Sequence, residues 1–154
     1  MSWPKRISLS IAVLYVVSLL IPLDRSNPPV TGEIEAPEEV LTILRKACYD
    51  CHSNQVDWPW YAWVSPISFA VTHHVEEARE HMNFSEWDKV SAEDRAVLIG
   101  ECWEEVEEGE MPLFVYLPMH PEAKLTDGER ETLKAWSQAN RDTVSDAMPP
   151  VTGR

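Results

Sequence analysis

Residues 48–66 read CYDCHSNQVDWPWYAWVSP. Two cysteines three positions apart, followed at once by a histidine, suit three chemistries. They can cycle as a dithiol, supply half of a zinc site, or anchor a porphyrin covalently. On a helical turn, side chains at i and i+3 project to one side and that at i+4 joins them. Cys48 and Cys51 can then form thioethers with the two vinyl groups of one haem, while His52 turns its imidazole toward the iron. A thioredoxin-like dithiol expects a strand before it and a βαβ setting, whereas the residues ahead of Cys48 have helical periodicity. A structural zinc needs four ligands. Cys102 and distant histidines could complete one, but no second closely spaced pair exists. Covalent haem therefore ranks first, a dithiol or disulfide second and zinc third.

The elements that must position this turn are helical. Pro37, Glu38 and Glu39 suit a helix start, and Val40, Leu41, Leu44, Ala47 and Cys48 follow at helical spacing. Pro59 and Pro66 keep the aromatic stretch after His52 out of a continuous helix. A second helix is expected from about Pro66 to Met82, with Ile67, Val71, His74, Val75, Ala78 and Met82 on one face. Ser91 and Asp94 form a capping pair for a third, ended by Gly109, with Val97, Leu98, Cys102 and Val106 inward. Thr126 and Glu129 cap a fourth that runs to about Asn140, with Leu133 and Trp136 inward. Residues 109–125 hold three prolines and read as a loop. No strand is expected.

The chain begins MSWPKRISLSIAVLYVVSLLIPLDRSNPP. Lys5 and Arg6 precede a largely apolar stretch over residues 7–23, the layout of an export signal. No small-residue cleavage site follows, so an uncleaved anchor is favoured over a cleaved peptide. Residues 1–25 are thus expected to be a signal anchor or transmembrane segment, 26–37 a linker, 38–140 the haem-binding domain and 141–154 a disordered tail. Lys5 and Arg6 would stay cytoplasmic, placing the domain on the periplasmic side of the inner membrane. A cleaved, soluble periplasmic form is the alternative.

The sequence also resembles the haem-binding, CxxCH-containing domain of bacterial exported proteins, which is distantly similar to class I c-type cytochromes. IPLDRSNPPV carries the resemblance, with CYDCHSNQVDWPWYAWVSP, NFSEW at 83–87, GEMP at 109–112 and MHPEAKLTDGE at 119–129. Ala78 in EEAR departs from the glycine the pattern leads one to expect, away from the iron ligands. The resemblance implies an all-α, cytochrome c-like domain of about four helices with long loops, following the N-terminal anchor helix. It also implies one covalently attached haem c, export and electron transfer.

Class I cytochromes take their second axial ligand from a methionine, often followed by proline, in a loop ahead of the last helix. Met111, before Pro112, stands in such a loop and is the first candidate. Met119, His120, His74 and His73 follow, and Met148, beyond the last helix, ranks last. His81 reads as solvated. Of the aromatic residues after the CxxCH, one or two among Trp58, Trp60, Tyr61 and Trp63 are expected against the haem face or its propionates. Trp87 and Trp136 read as core. Cys102 reads as a small buried hydrophobe. Arg45, Lys46 and Arg79 are candidates for a propionate partner.

Composition limits the partners. The chain carries a formal charge of −13 and no basic patch that would neutralise phosphates, so nucleic acid is excluded. The acidic run EEVEEGE at 104–110 suits a redox partner with a basic docking surface. The expected function is outer-sphere one-electron transfer by a membrane-anchored cytochrome rather than an enzymatic reaction. A haem sensor or small peroxidase-like protein with an open or labile distal site is the alternative.

Overall fold

The computed structural model describes residues 2–147 and is all-helical, with one isolated bridge between Gly32 and Glu86 and no strand among them. The helices are α1 (Trp3–Leu19), α2 (Glu38–Ala47), α3 (Tyr49–His52), α4 (Ile67–His81), α5 (Ala92–Glu108) and α6 (Asp127–Ala147). Short 3-10 turns lie at Trp60–Trp63, Trp87–Lys89 and Pro121–Ala123.

α5 and α6 form the largest helix pair, α2 packs on α6, and α3 packs between α2 and α4. Val40, Leu44, Phe84, Val106, Leu133 and Trp136 are buried where these elements meet, with Trp87 beside them. Both expected caps form. Asp94 donates its backbone N–H to Ser91 Oγ at 3.1 Å, and Thr126 N–H reaches Glu129 Oε2 at 2.8 Å. Gly109 stops α5 at φ 84°, a conformation a side chain would strain.

Four expectations change. First, α1 has 17 residues, a length of about 25 Å, and its apolar part starts only after Lys5 and Arg6. The hydrocarbon core is about 30 Å thick. No helix among the described residues is long and apolar enough to cross a membrane, so the expected spanning anchor is not found. Second, the linker at 26–37 is held against the domain. Gly32 and Ile34 donate to the carbonyls of Ser85 and Phe84 at 3.2 and 2.9 Å, and Ile34 is buried. A Cβ on Gly32 would come within 2.5 Å of Asp88 Cβ, so glycine allows this close approach. Third, Val97 is exposed, and Ala96, Ile99, Gly100 and Val106 form the inner face of α5. Fourth, α6 continues past Asn140, because Arg141 bonds Gly100 O at 3.2 Å and Glu104 Oε1 at 2.6 Å across on α5. The remainder of the expected tail, including Met148, lies outside the described residues.

Lys46 pairs with Glu129, tying α2 to the start of α6. The ammonium and the Thr126 N–H hold the Glu129 carboxyl below the usual carboxylate range. A depressed carboxyl stabilises the fold above its unfolded value of 4.5, and that contribution disappears as pH falls through the folded value. Glu129→Gln is therefore expected to lower stability near pH 7 by no more than about 1 kcal/mol, since the pair is partly solvated. The difference from the parent should shrink below pH 4.5 in denaturant titrations; a constant difference would refute the assignment.

Candidate functional site

The CxxCH forms a single helical turn. Cys48 N–H closes the last turn of α2 on Leu44 O at 2.8 Å. The backbone then bends at Cys48, and the N–H groups of Cys51 and His52 both return to Cys48 O, at 3.1 and 2.9 Å. Side chains 48, 51 and 52 are thereby presented together.

A buried polar network holds the turn from behind. His52 O accepts Phe84 N–H at 2.8 Å, and the Phe84 ring stacks on Tyr49 with centroids 5.3 Å apart. Ser53 Oγ donates to Tyr49 O, Asn54 N–H donates to Ser85 Oγ, and Asn83 Nδ2 donates to Asn54 Oδ1, at 2.7, 3.0 and 2.9 Å. Arg79 adds bonds to Ser53 O, Ser26 O and Asn27 Oδ1. Buried polar groups are costly unless satisfied, so this network fixes one arrangement.

In front of the turn lies a cavity of about 350 Å³. Cys48, Cys51 and His52 line it, with Ala78 and Met82 at the α4 side, Cys102 and Val106 from α5, and Met111, Pro112, Leu113 and Tyr116 from the loop. A second, mainly apolar cavity of about 290 Å³ adjoins it and shares Asp50, Cys51, His74, Leu113 and Tyr116. His74 and Val71 thus face cavity instead of packed core, Ser68 and Thr72 supply the buried side of α4, and Val75 is buried at the cavity's edge.

His52 Nδ1 lies 3.1 Å from Met82 O. The carbonyl fixes the proton on Nδ1 and leaves Nε2 as the nitrogen with a free lone pair. Burial pushes the His52 pKa down, partly opposed by the bond to Met82, so the ring is neutral near pH 7. Burial raises the thiols of Cys48 and Cys51, the latter to about 11, with Asp50 adding to the rise at Cys51. Thiolate is scarce at neutral pH, which does not suit a redox-active dithiol. All three cysteines are free, and no group of three or more His, Cys, Asp or Glu among the described residues could hold a metal ion. The disulfide and zinc alternatives find no support in the geometry.

Glu105 O accepts the N–H groups of Glu110 and Met111 at 3.0 and 3.1 Å, turning the chain back over the end of α5 so that Met111 faces the cavity. Further along the loop, Tyr116 donates its hydroxyl to Asp50 Oδ2 at 2.6 Å, within the CxxCH itself. The Tyr116 ring lies flat on His120 with centroids 4.0 Å apart.

The other ligand candidates lie elsewhere. His120 is held by Tyr61 Oη at 2.7 Å and Glu122 Oε1 at 3.0 Å, and neither His120 nor Met119 lines either of these two cavities. His73 is exposed and pairs with Glu77 at 3.4 Å. His81 stands at the rim, largely exposed, 3.5 Å from Glu101. Cys102 is half-buried because it faces the cavity; the protein around it raises its thiol to about 11. Of the four aromatic candidates only Tyr61 lines either cavity. Arg45, Lys46 and Arg79 line neither; they pair with Glu33 and Glu38, with Glu129, and with backbone and Asn27 respectively.

A family model described as a haem-binding domain matches residues 13–139. The chain belongs to the haem-binding domain family. No curated protein and no solved structure matches the chain. The haem-binding domain offers its cofactor a fitting donor set. Two thiols and a neutral imidazole stand on one turn, a thioether stands on the facing loop, and apolar walls lie between them.

Residues of this haem-binding domain that sequence reasoning passed over include Asn54, Asn83, Ser85 and Tyr116. The polar clusters HSN at 52–54 and NFS at 83–85, set among apolar residues, carried the signal for the first three. Nothing local marks Tyr116, whose partner is 66 positions away.

Proposed function

We propose that this haem-binding domain is a mono-haem c-type cytochrome that transfers single electrons on the periplasmic side of the membrane. The observation that supports it most is the convergence of Cys48, Cys51, His52 and Met111 on one cavity. The Cys48 and Cys51 thiols would each add S–H across a vinyl double bond, a step that needs no oxidant. His52 Nε2 and Met111 Sδ would hold the iron, which would supply a ferric/ferrous couple. A thioether ligand favours the ferrous state relative to a second histidine.

The protein's own part is to exclude water, fix both ligands and leave an edge accessible. Glu77 and Glu101 line the cavity and are well exposed, with no lysine or arginine among the residues around either cavity. This acidic rim suits a basic redox partner docking through a small, salt-sensitive interface. No acid–base pair or nucleophile is assigned, because electron transfer needs neither. Attachment by a spanning helix is not part of this reading.

The test is an optical spectrum of the exported protein, oxidised and reduced, with and without carbon monoxide. Low-spin spectra with a ferric sulfur-to-iron charge-transfer band, unchanged by carbon monoxide, are expected. High-spin iron or ready carbon monoxide binding would instead put sensing or peroxide chemistry first.

A further inference from the structure

One quarter of the chain's residues are charged and the net charge is −13, yet residues 58–75 and 111–119 contain no Asp, Glu, Lys or Arg. The two segments are distant in sequence and meet in space. Tyr61 Oη lies 2.7 Å from His120 Nε2, and Tyr61, Ile67, Leu113 and Val115 line the same cavity. Around that meeting point Trp60, Trp63, Ile67, Phe114, Val115 and Met119 are all exposed, Phe114 at 82% and Trp60 at 69%. An apolar surface of this extent, built from two segments without Asp, Glu, Lys or Arg, marks an interaction site on an acidic domain.

α1 leaves the domain at this same surface. Ser18 Oγ and Ser65 Oγ are 2.6 Å apart, Arg25 Nε donates to Ala62 O at 2.8 Å, and the Arg25 guanidinium lies 4.5 Å from the centre of the Trp63 ring. No residue of α1 is buried, and its apolar side chains point in all directions around the axis. A protein partner or a second copy covers one side of a helix. A helix that is hydrophobic all round matches a hydrocarbon phase.

We propose that the surface formed by residues 58–67 and 113–119 rests on a lipid bilayer, with α1 entering the bilayer without crossing it. α1 is too short to span, and Lys5 and Arg6 near its far end belong at the headgroup level, so α1 lies shallow along the interface. The Ser18 and Arg25 contacts bring Trp60 and Trp63 to that depth, where indole rings are favoured at the headgroup boundary. The two segments add a second, independent apolar contact that fixes how the domain sits on the membrane. This inference stands on exposure, charge pattern and the α1 contacts, and does not depend on the axial ligands.

The test uses the full-length holoprotein with vesicles of phosphatidylcholine, whose neutral surface neither attracts nor repels the acidic domain. Trp60→Ser with Phe114→Ser, both fully outside the packed core, is expected to weaken partitioning at least about tenfold. The control Val97→Ser, an exposed apolar residue on α5, should leave it unchanged, as should added salt. In the unmodified chain, vesicles should slow backbone hydrogen exchange over 111–119 and 60–64 while leaving α5 and α6 unaffected. Partitioning of the double variant equal to the parent, or protection confined to α1, would show that α1 alone holds the bilayer and overturn the proposal. A lipid-free dimer that the same double variant dissociates, with partitioning unaltered, would assign the surface to a second copy instead.

Discussion

Replacing both Cys48 and Cys51 with serine should yield a protein from which haem is removed completely by acidified organic solvent, whereas the parent keeps it through denaturation. The two sulfurs line one apolar cavity together with His52, which would then hold the iron without a covalent link to the porphyrin. Serine keeps the size of the side chain and removes only the reactive sulfur, so α2 and the α3 turn should survive. Their backbone bonds, from Cys48 N–H to Leu44 O and from His52 N–H to Cys48 O, do not involve the side chains. Each single variant should retain one thioether, with the reduced pyridine adduct shifting as one vinyl group is freed. Covalent haem persisting in the double variant would remove the basis for the c-type assignment. A protein in which neither parent nor variant retains haem would also reject it, leaving the thiols to a different role.

The helices and caps were largely legible in the sequence because they depend on local chemistry. Ser91 with Asp94, Thr126 with Glu129 and Gly109 act within a few residues, and the structure places α5 and α6 where these residues predict. The face of α4 was legible in pattern but not in meaning. Periodicity groups Val71, His74 and Val75, and cannot distinguish a side chain facing core from one facing a cavity. How the linker at 26–37 is held was not legible, because its order comes from non-local bonds to Ser85 and Phe84 that its prolines and glycine do not announce. The spanning length of the N-terminal helix was misjudged for a related reason. Hydropathy counts apolar residues up to Leu23, but the helix ends at Leu19 ahead of Pro22, and length in ångströms decides what spans. At the site, the spacing of Cys48, Cys51 and His52 and the Met-Pro pair at Met111 pointed to four residues that the fold brings to one cavity. The latch between Tyr116 and Asp50 required the fold.

That latch is the basis of the second large effect. Met111→Ala should abolish the sulfur-to-iron charge-transfer band and lower the reduction potential, within the span of about 0.8 V that axial ligands cover. Tyr116→Phe should behave differently. The hydroxyl that reaches Asp50 is the polar tie between the middle of the methionine loop and the CxxCH turn, and the ring's stacking on His120 is preserved by phenylalanine. A hydrogen bond to a charged acceptor contributes about 1.5–3 kcal/mol. Its loss should therefore raise the open fraction of the loop by roughly 10–100-fold while the band remains at neutral pH. The measurable result is a matching acceleration of Met111 displacement by added imidazole. Burial, and then Asp50, push the Tyr116 pKa far above the usual 10, so in the parent the tie should persist through mildly alkaline pH and weaken only as pH climbs toward that raised value. The variant should lose the band at lower pH than the parent, because its loop lacks this tie from the start. Tyr61→Phe, which removes only the bond to His120, should change the displacement rate far less. Equal rates in the parent and Tyr116→Phe would show that the anchoring at Glu105 O alone holds Met111 over the cavity.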